Sequence, residues 1–186
     1  MRVKLAVFLC VICFLAGCGN TDSELSKALR LREKIANSEG CSFTTSITAD
    51  YGEKIYTFTM DCQTDNEGNL TFYVTEPATI AGVTGKIDLS GGVITFDDKV
   101  LAFQTIADDR ITPVVAPWLL IKTLRSGYLR DSSGTENGYK ISIDDSYEAD
   151  ALRLQITIEN DLPVFAEIFW KGRRIMTTTV ENFAYL

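Results

Sequence analysis

The sequence predicts an α+β chain built mostly of antiparallel β-structure, and three observations carry that expectation. From Cys41 onward apolar residues recur with period two through ten short segments. Gly68, Pro77, Asp97-Asp98, Asn160-Asp161 and Lys171-Gly172 punctuate them, leaving connections too short for the crossovers that parallel strands need. Only two stretches carry helical spacing, one ahead of the strands and one inserted among them.

The first eighteen residues form an address. Met1-Arg2-Val3-Lys4 supplies two positive charges, and an apolar run follows from Leu5 to Leu15. Those eleven residues, at 1.5 Å each, cover about half of a bilayer core of roughly 30 Å, so the run is too short for a stable span. Residues 1–17 read as a signal peptide. The run ends in Leu15-Ala16-Gly17-Cys18, which resembles the bacterial lipobox. The resemblance implies cleavage before Cys18 and acylation of that cysteine, where three acyl chains hold far more firmly than one; the alternative is a plain secretory peptide or a short anchor helix. Residues 18–22 then make a short tether, and 23–186 a single domain facing the extracytoplasmic side of a bacterial cell membrane. Without Arg2 and Lys4 the basic count falls from 18 to 16 against 25 acidic groups, a net charge of −9. An acidic body is repelled by anionic headgroups, so the lipid provides the attachment.

Composition excludes several functions. With no histidine in 186 residues there is no Ser-His-Asp or Cys-His nucleophilic pair, no His-containing zinc site and no imidazole acid or base. The negative charge argues against nucleic acid as a partner. Asp97-Asp98, Asp108-Asp109 and Asp144-Asp145 lie beside turns, where neighbouring side chains on a strand point to opposite faces. Asp61, Asp65 and Glu67 lack the alternation of an EF-hand. Gly82-Val83-Thr84-Gly85-Lys86 is too short for a phosphate loop, and no Gly-x-Ser-x-Gly or Ser-x-x-Lys occurs. Neither an enzyme nor a cofactor is implied.

Thr21-Asp22-Ser23-Glu24 has the spacing of a capping box, and Leu25, Ala28, Leu29, Ile35 and Ala36 form a helical stripe reaching Asn37. Residues 41–50 and 53–62 then read as a hairpin around Tyr51-Gly52. A two-residue loop pairs residues whose numbers sum to 103, setting Phe43 against Met60, Ile47 against Tyr56, and Cys41 against Cys62 at a close, non-hydrogen-bonded position. Cys10 and Cys13 leave with the leader and Cys18 carries lipid, so Cys41 and Cys62 are expected to form one disulfide, the alternative being two buried thiols.

Further strands are expected at 54–64, 69–76, 79–89, 92–97 and 99–104, and again at 138–144, 149–159, 162–170 and 173–182. Between the two groups Thr112-Pro113 starts a helix and Gly127 stops it, with Pro117 kinking or restarting it. Val114, Val115, Trp118, Leu119, Leu120, Ile121 and Leu124 make that helix apolar on nearly every side, so it needs burial on more than one face. Residues 131–137 read as a polar loop.

This layout resembles the LolA/LolB and LppX-like lipoprotein superfamily. The local likeness lies in Gly68-Asn69-Leu70-Thr71-Phe72-Tyr73-Val74-Thr75-Glu76-Pro77, in Leu162-Pro163-Val164-Phe165-Ala166-Glu167-Ile168-Phe169-Trp170, and in Arg174 and Asn182-Phe183. The resemblance implies a strongly curved, incomplete β-barrel with an N-terminal amphipathic helix and an inserted helical lid. Its concave side would hold a lipid, an acyl chain or another hydrophobic ligand. On that reading Phe43, Ile47, Phe58, Met60, Phe72 and Val74 are cavity-wall candidates, and Trp118, Leu119, Ile121 and Leu124 lid candidates; for each the alternative is plain core packing. A second reading is a non-enzymatic interaction or sensing module, a filled barrel meeting another envelope protein.

Overall fold

The computed structural model describes residues 24–107 and 110–186. The leader, Cys18, the tether and Asp108-Asp109 lie outside them. Helix α1 (Glu24–Asn37) leads into β1 (Cys41–Asp50), β2 (Ile55–Thr64), β3 (Leu70–Glu76), β4 (Thr84–Asp88), β5 (Gly91–Phe96) and β6 (Lys99–Phe103). A small hairpin, β7 (Ile106–Ala107) and β8 (Arg110–Ile111), and a 3-10 turn at Pro113–Val115 precede helix α2 (Ala116–Ser126). The chain ends in β9 (Tyr128–Thr135), β10 (Gly138–Asp144), β11 (Arg153–Glu159), β12 (Leu162–Trp170) and β13 (Arg173–Tyr185).

Eleven strands form one antiparallel sheet in the order β6-β5-β4-β3-β2-β1-β13-β12-β11-β10-β9. Its two ends do not meet, so the fold is an incomplete curved barrel. Each arm grows by local reversal. Asp97-Asp98, Asn160-Asp161 and Lys171-Gly172 all have positive φ at both positions, the two-residue turn whose twist matches that of the flanking strands. The arms join where β1 pairs with β13, from Cys41 opposite Tyr185 to Ala49 opposite Met176. Inside that seam the buried Thr178 hydroxyl donates to Thr45 Oγ1, which donates 2.8 Å to the Thr179 carbonyl. Both hydroxyls are thereby satisfied without water.

Five expectations are corrected. The β1–β2 loop holds four residues rather than two: Tyr51 N–H donates 3.1 Å to the Lys54 carbonyl, and Gly52 N–H 2.7 Å to Asp50 Oδ1. Asp50 therefore faces Ile55, and Cys62 faces Phe43. Cys41 and Cys62 become diagonal neighbours, a relation that separates Cβ atoms by up to about 7–8 Å where a bridge needs about 3.8 Å. Both stand as free, buried thiols. Burial pushes both thiols up from their ordinary range.

Helix α1 buries Ala28, Leu31 and Ile35, leaving Leu25, Leu29 and Ala36 exposed. Ala28 and Ile35 belong to the expected stripe, and Leu31 completes the inward face at i, i+3, i+7. The fourth strand starts at Thr84, not 79, because Ile80 and Ala81 N–H both turn back 3.0 Å to the Pro77 carbonyl. The expected polar loop at 131–137 falls largely within strand β9, which pairs with β10 from Thr135 opposite Gly138 to Tyr128 opposite Asp144.

Helix α2 restarts rather than kinks at Pro117, which lies in its first turn where a missing N–H costs nothing. Ala116, Pro117, Trp118, Leu119, Leu120, Ile121, Thr123 and Leu124 are all buried, so the helix packs into the concave side of the sheet. Gly127 follows for lack of space: a Cβ there would lie 2.6 Å from Ile143 Cγ2 and 2.7 Å from the Thr123 carbonyl oxygen. Arg125 fastens the end of α2, donating 2.5 Å to the Asn66 carbonyl, while Arg32 of α1 donates 3.3 Å to the Arg125 carbonyl.

Candidate functional site

The inner face of the first arm is set by strand parity. Phe58, Met60 and Cys62 of β2 stand beside Ile47, Thr45 and Phe43 of β1, and Val74 and Phe72 of β3 continue the rows. Gly85 of β4 lies opposite Phe72, whose ring covers it; a Cβ at Gly85 would sit 2.4 Å from the Phe72 Cζ. Ile94 of β5 comes next in that row.

Helix α2 covers only part of this face. Beyond its first turn the sheet opens into an apolar groove of about 470 Å³, lined by Tyr51, Tyr56, Phe58, Val74, Ile80, Val83, Ile94, Ile111, Thr112, Pro113 and Val114. Phe58 and Val74 form its buried floor, while Tyr56 and Ile80 stand 45% and 39% exposed at its mouth. Residues 111–114 form one wall. Tyr51 anchors that wall by donating its hydroxyl hydrogen bond to the Ile111 carbonyl, with its ring edge-on to Tyr56 at 6.2 Å. Thr112 fixes it from the other side, its N–H donating 2.9 Å to the Thr105 carbonyl and its hydroxyl 2.8 Å to that of Gln104. The Ile111 carbonyl and the Thr112 N–H and hydroxyl are thus engaged with the protein, and the rest of the lining is hydrocarbon and tyrosine rings. The size falls within the range of small-molecule sites.

The other depressions have different chemistry. One of about 630 Å³ lies between the β2–β3 and β4–β5 turns and α2, and is lined by Glu67, Lys86, Asp88, Lys122 and Arg125 together with Trp118. Asp65, next to that depression, commits its carboxylate to its own turn, accepting from Glu67 N–H at 3.0 Å, Asn69 N–H at 2.9 Å and Asn69 Nδ2 at 2.8 Å. Another, of about 500 Å³, adjoins Asp144, which is held by Arg130 at 2.7 Å and Arg153 at 2.9 Å. Burial raises the Asp144 carboxyl, but hydrogen bonds from Arg153 and Arg130 outweigh it and hold the group below the usual carboxylate range.

The sequence-expected residues divide between groove and core. Phe58 and Val74 line the groove; Phe43, Ile47, Met60 and Phe72 lie on the same rows but are buried within the core. Leu119, Ile121 and Leu124 are buried in the same core. Trp118 borders the charged depression, with the Lys122 ammonium 5.1 Å from its ring centroid. Tyr51, Tyr56, Ile80, Val83, Ile94, Ile111, Pro113 and Val114 complete the groove and are not among the residues the sequence points to. Several of them stand out in the sequence only as apolar residues in or beside turns, such as Ile80 and Val83.

No family model matches the chain, and no curated protein matches it. Among solved structures it is similar to an uncharacterized conserved protein from Thermus thermophilus, at 9% identity and a TM-score of 0.48 over 86% of this chain and 87% of that one. It is also similar to a LolA superfamily protein from Nitrosomonas europaea, at 11% identity and 0.46 over 84% and 91%. The Mycobacterium tuberculosis lipoprotein LppX aligns at 9% identity and 0.43 over 88% and 96%. At this level the likeness transfers neither ligand nor partner.

Proposed function

We propose that the protein is a membrane-anchored extracytoplasmic lipoprotein that takes a lipid, an acyl chain or another hydrophobic molecule into the groove between Phe58, Val74, Ile94 and Val114. The observation that supports this reading is the groove itself, open, of about 470 Å³ and lined almost wholly by apolar side chains. Filling it removes apolar surface from water at roughly 25 cal/mol per Å², with no charge to desolvate. The address rests on Met1 to Cys18, whose order of charge, short apolar run and Leu-Ala-Gly-Cys is that of a lipidated leader. Nothing in the groove suits bond-making chemistry, so the role is one of holding and handing over.

Native mass spectrometry of residues 19–186, prepared without detergent, tests the binding half. A discrete added mass that leaves with organic extraction, and that returns on adding fatty acid or phospholipid, is the expected result. A clean apo mass with no uptake sinks the proposal. Replacement of Cys18 by Ser tests the anchor, since it should move the protein from the membrane fraction to the soluble one.

A further inference from the structure

The sheet ends on two edges of opposite chemistry. Strand β9 reads Tyr-Leu-Arg-Asp-Ser-Ser-Gly-Thr and is polar, with Arg130 drawn to Asp144. Strand β6 reads Lys-Val-Leu-Ala-Phe, with one charge, no proline and an unbroken register on β5. Edges are ordinarily guarded by charge, proline or bulges. This one is not. Around it Leu89, Val93, Phe96, Val100 and Leu101 stand 40–84% exposed.

The hairpin register says which backbone groups are free. Phe96 and Lys99 close the two-residue turn and exchange hydrogen bonds, and bonded and non-bonded pairs alternate from there. Leu101 therefore bonds to Ile94 and Phe103 to Gly92, while Val100 and Ala102 turn N–H and C=O outward. Among the described residues no backbone hydrogen bond from another part of the chain reaches either one. A lipid surface could cover the side chains but would leave those groups without partners. Another strand satisfies both.

We infer that β6 is a pairing edge for a second copy of this chain, docked antiparallel about a two-fold axis at Leu101. An antiparallel edge is complementary to itself, and the axis at Leu101 is the one that pairs all five residues of the strand. Val100 and Ala102 then exchange hydrogen bonds with Ala102 and Val100 of the second copy, and Leu101 meets its own counterpart at a close, non-bonded position. Charge is compatible with that register and rejects two others. An axis at Lys99 would set lysine against lysine and one at Asp98 acid against acid, whereas the axis at Leu101 places Lys99 beside Phe103 and the acids beside Gln104 and Thr105. The pairing also has a functional consequence. Leu101, Ile94, Gly85 and Phe72 share one face, so docking joins the concave surfaces of two half-barrels into a single apolar trough.

Cysteine cross-linking in whole cells, with copper phenanthroline as oxidant and the full-length chain, tests this independently of any ligand. Leu101→Cys should give a dimer on non-reducing gels, because a non-bonded pair brings Cα atoms to about 4.5 Å, within disulfide range. Val100→Cys, on the opposite face, should not. Ala102→Pro removes an outward N–H that an edge can lose without harm to the fold. Added to Leu101→Cys, it should lower cross-linking by about tenfold, which is about 1.4 kcal/mol shared between the two hydrogen bonds lost at the axis, at unchanged melting temperature. A Leu101→Cys chain that reacts with maleimide in the native state yet never cross-links would overturn the inference. So would cross-linking that is equal in Val100→Cys or that persists with Ala102→Pro.

Discussion

Truncation of Leu120 separates the helix that packs into the barrel from the groove beside it. Leu120 has no exposed surface and packs in the core cluster. Leu→Ala at such a site costs about 3 kcal/mol, the transfer energy of the lost atoms plus that of the cavity left behind. In a domain of about 160 residues each kcal/mol moves the melting temperature by about 2–4 °C, so Leu120→Ala should melt roughly 6–12 °C lower. Leu120 does not line the groove, so affinity for a fluorescent fatty acid should stay within about twofold. Val83→Ser should do the reverse. Val83 is half-buried at the groove, and losing its methyls takes about 1 kcal/mol of apolar contact from a bound chain. That is about a fivefold rise in Kd, with a small change in melting temperature. Thermal scans by circular dichroism and fluorescence titrations at about 20 °C on residues 19–186 decide the matter. If Leu120→Ala weakens uptake more than Val83→Ser while both are folded, the ligand lies beneath α2 and the groove is the wrong site.

Alkylation with iodoacetamide should label Cys41 and Cys62 fully after denaturation without reductant and hardly at all in the native protein; protection that persists after denaturation would mean the thiols are bridged. Replacing Asp144 by Asn should destabilise the protein most near neutral pH. Its folded carboxyl titrates below the unfolded value of about 3.9, so its stabilisation is complete above that value and is lost as pH falls through the lower folded one. The gap in melting temperature between wild type and Asp144→Asn should therefore close only in that acid range, and a gap that already closes at about pH 6 would contradict the ion pairs. Gly127→Ala should cost about 1–3 kcal/mol by overpacking against Ile143 and Thr123, as read from urea midpoints, and a neutral effect would show that α2 can shift.

The architecture was legible because it is local. Period-two runs, three positive-φ dipeptide turns and one all-apolar helix each leave a mark in neighbouring residues. What escaped was anything set by distance or by a missing partner. The hairpin register slipped because sums of 103 and 105 put the same residues of β1 and β2 on the same face; only a one-residue slip would have exposed the core. Strand β9 escaped because an edge has one partner and most of its side chains face water, so Asp131, Ser132 and Ser133 look like a loop. The β1–β13 seam left no trace in either strand alone. Among the site residues, Phe58 and Val74 were found because they share the core rows, whereas Ile80 and Val83 were hidden in what read as a longer strand.

The seam also orders events in time. Each arm can assemble from neighbours along the chain, but Thr45 and Thr178, which meet at the join, are 133 residues apart. Closing so long a loop is costly in entropy, and the rewards arrive only when β13 is present. During synthesis the first arm must therefore wait with the whole flank of β1 unpaired, an exposed edge at the end opposite β6. The interval before the last strand arrives is when this protein is most exposed to mispairing, and a chaperone that shields β1 would have most to do then.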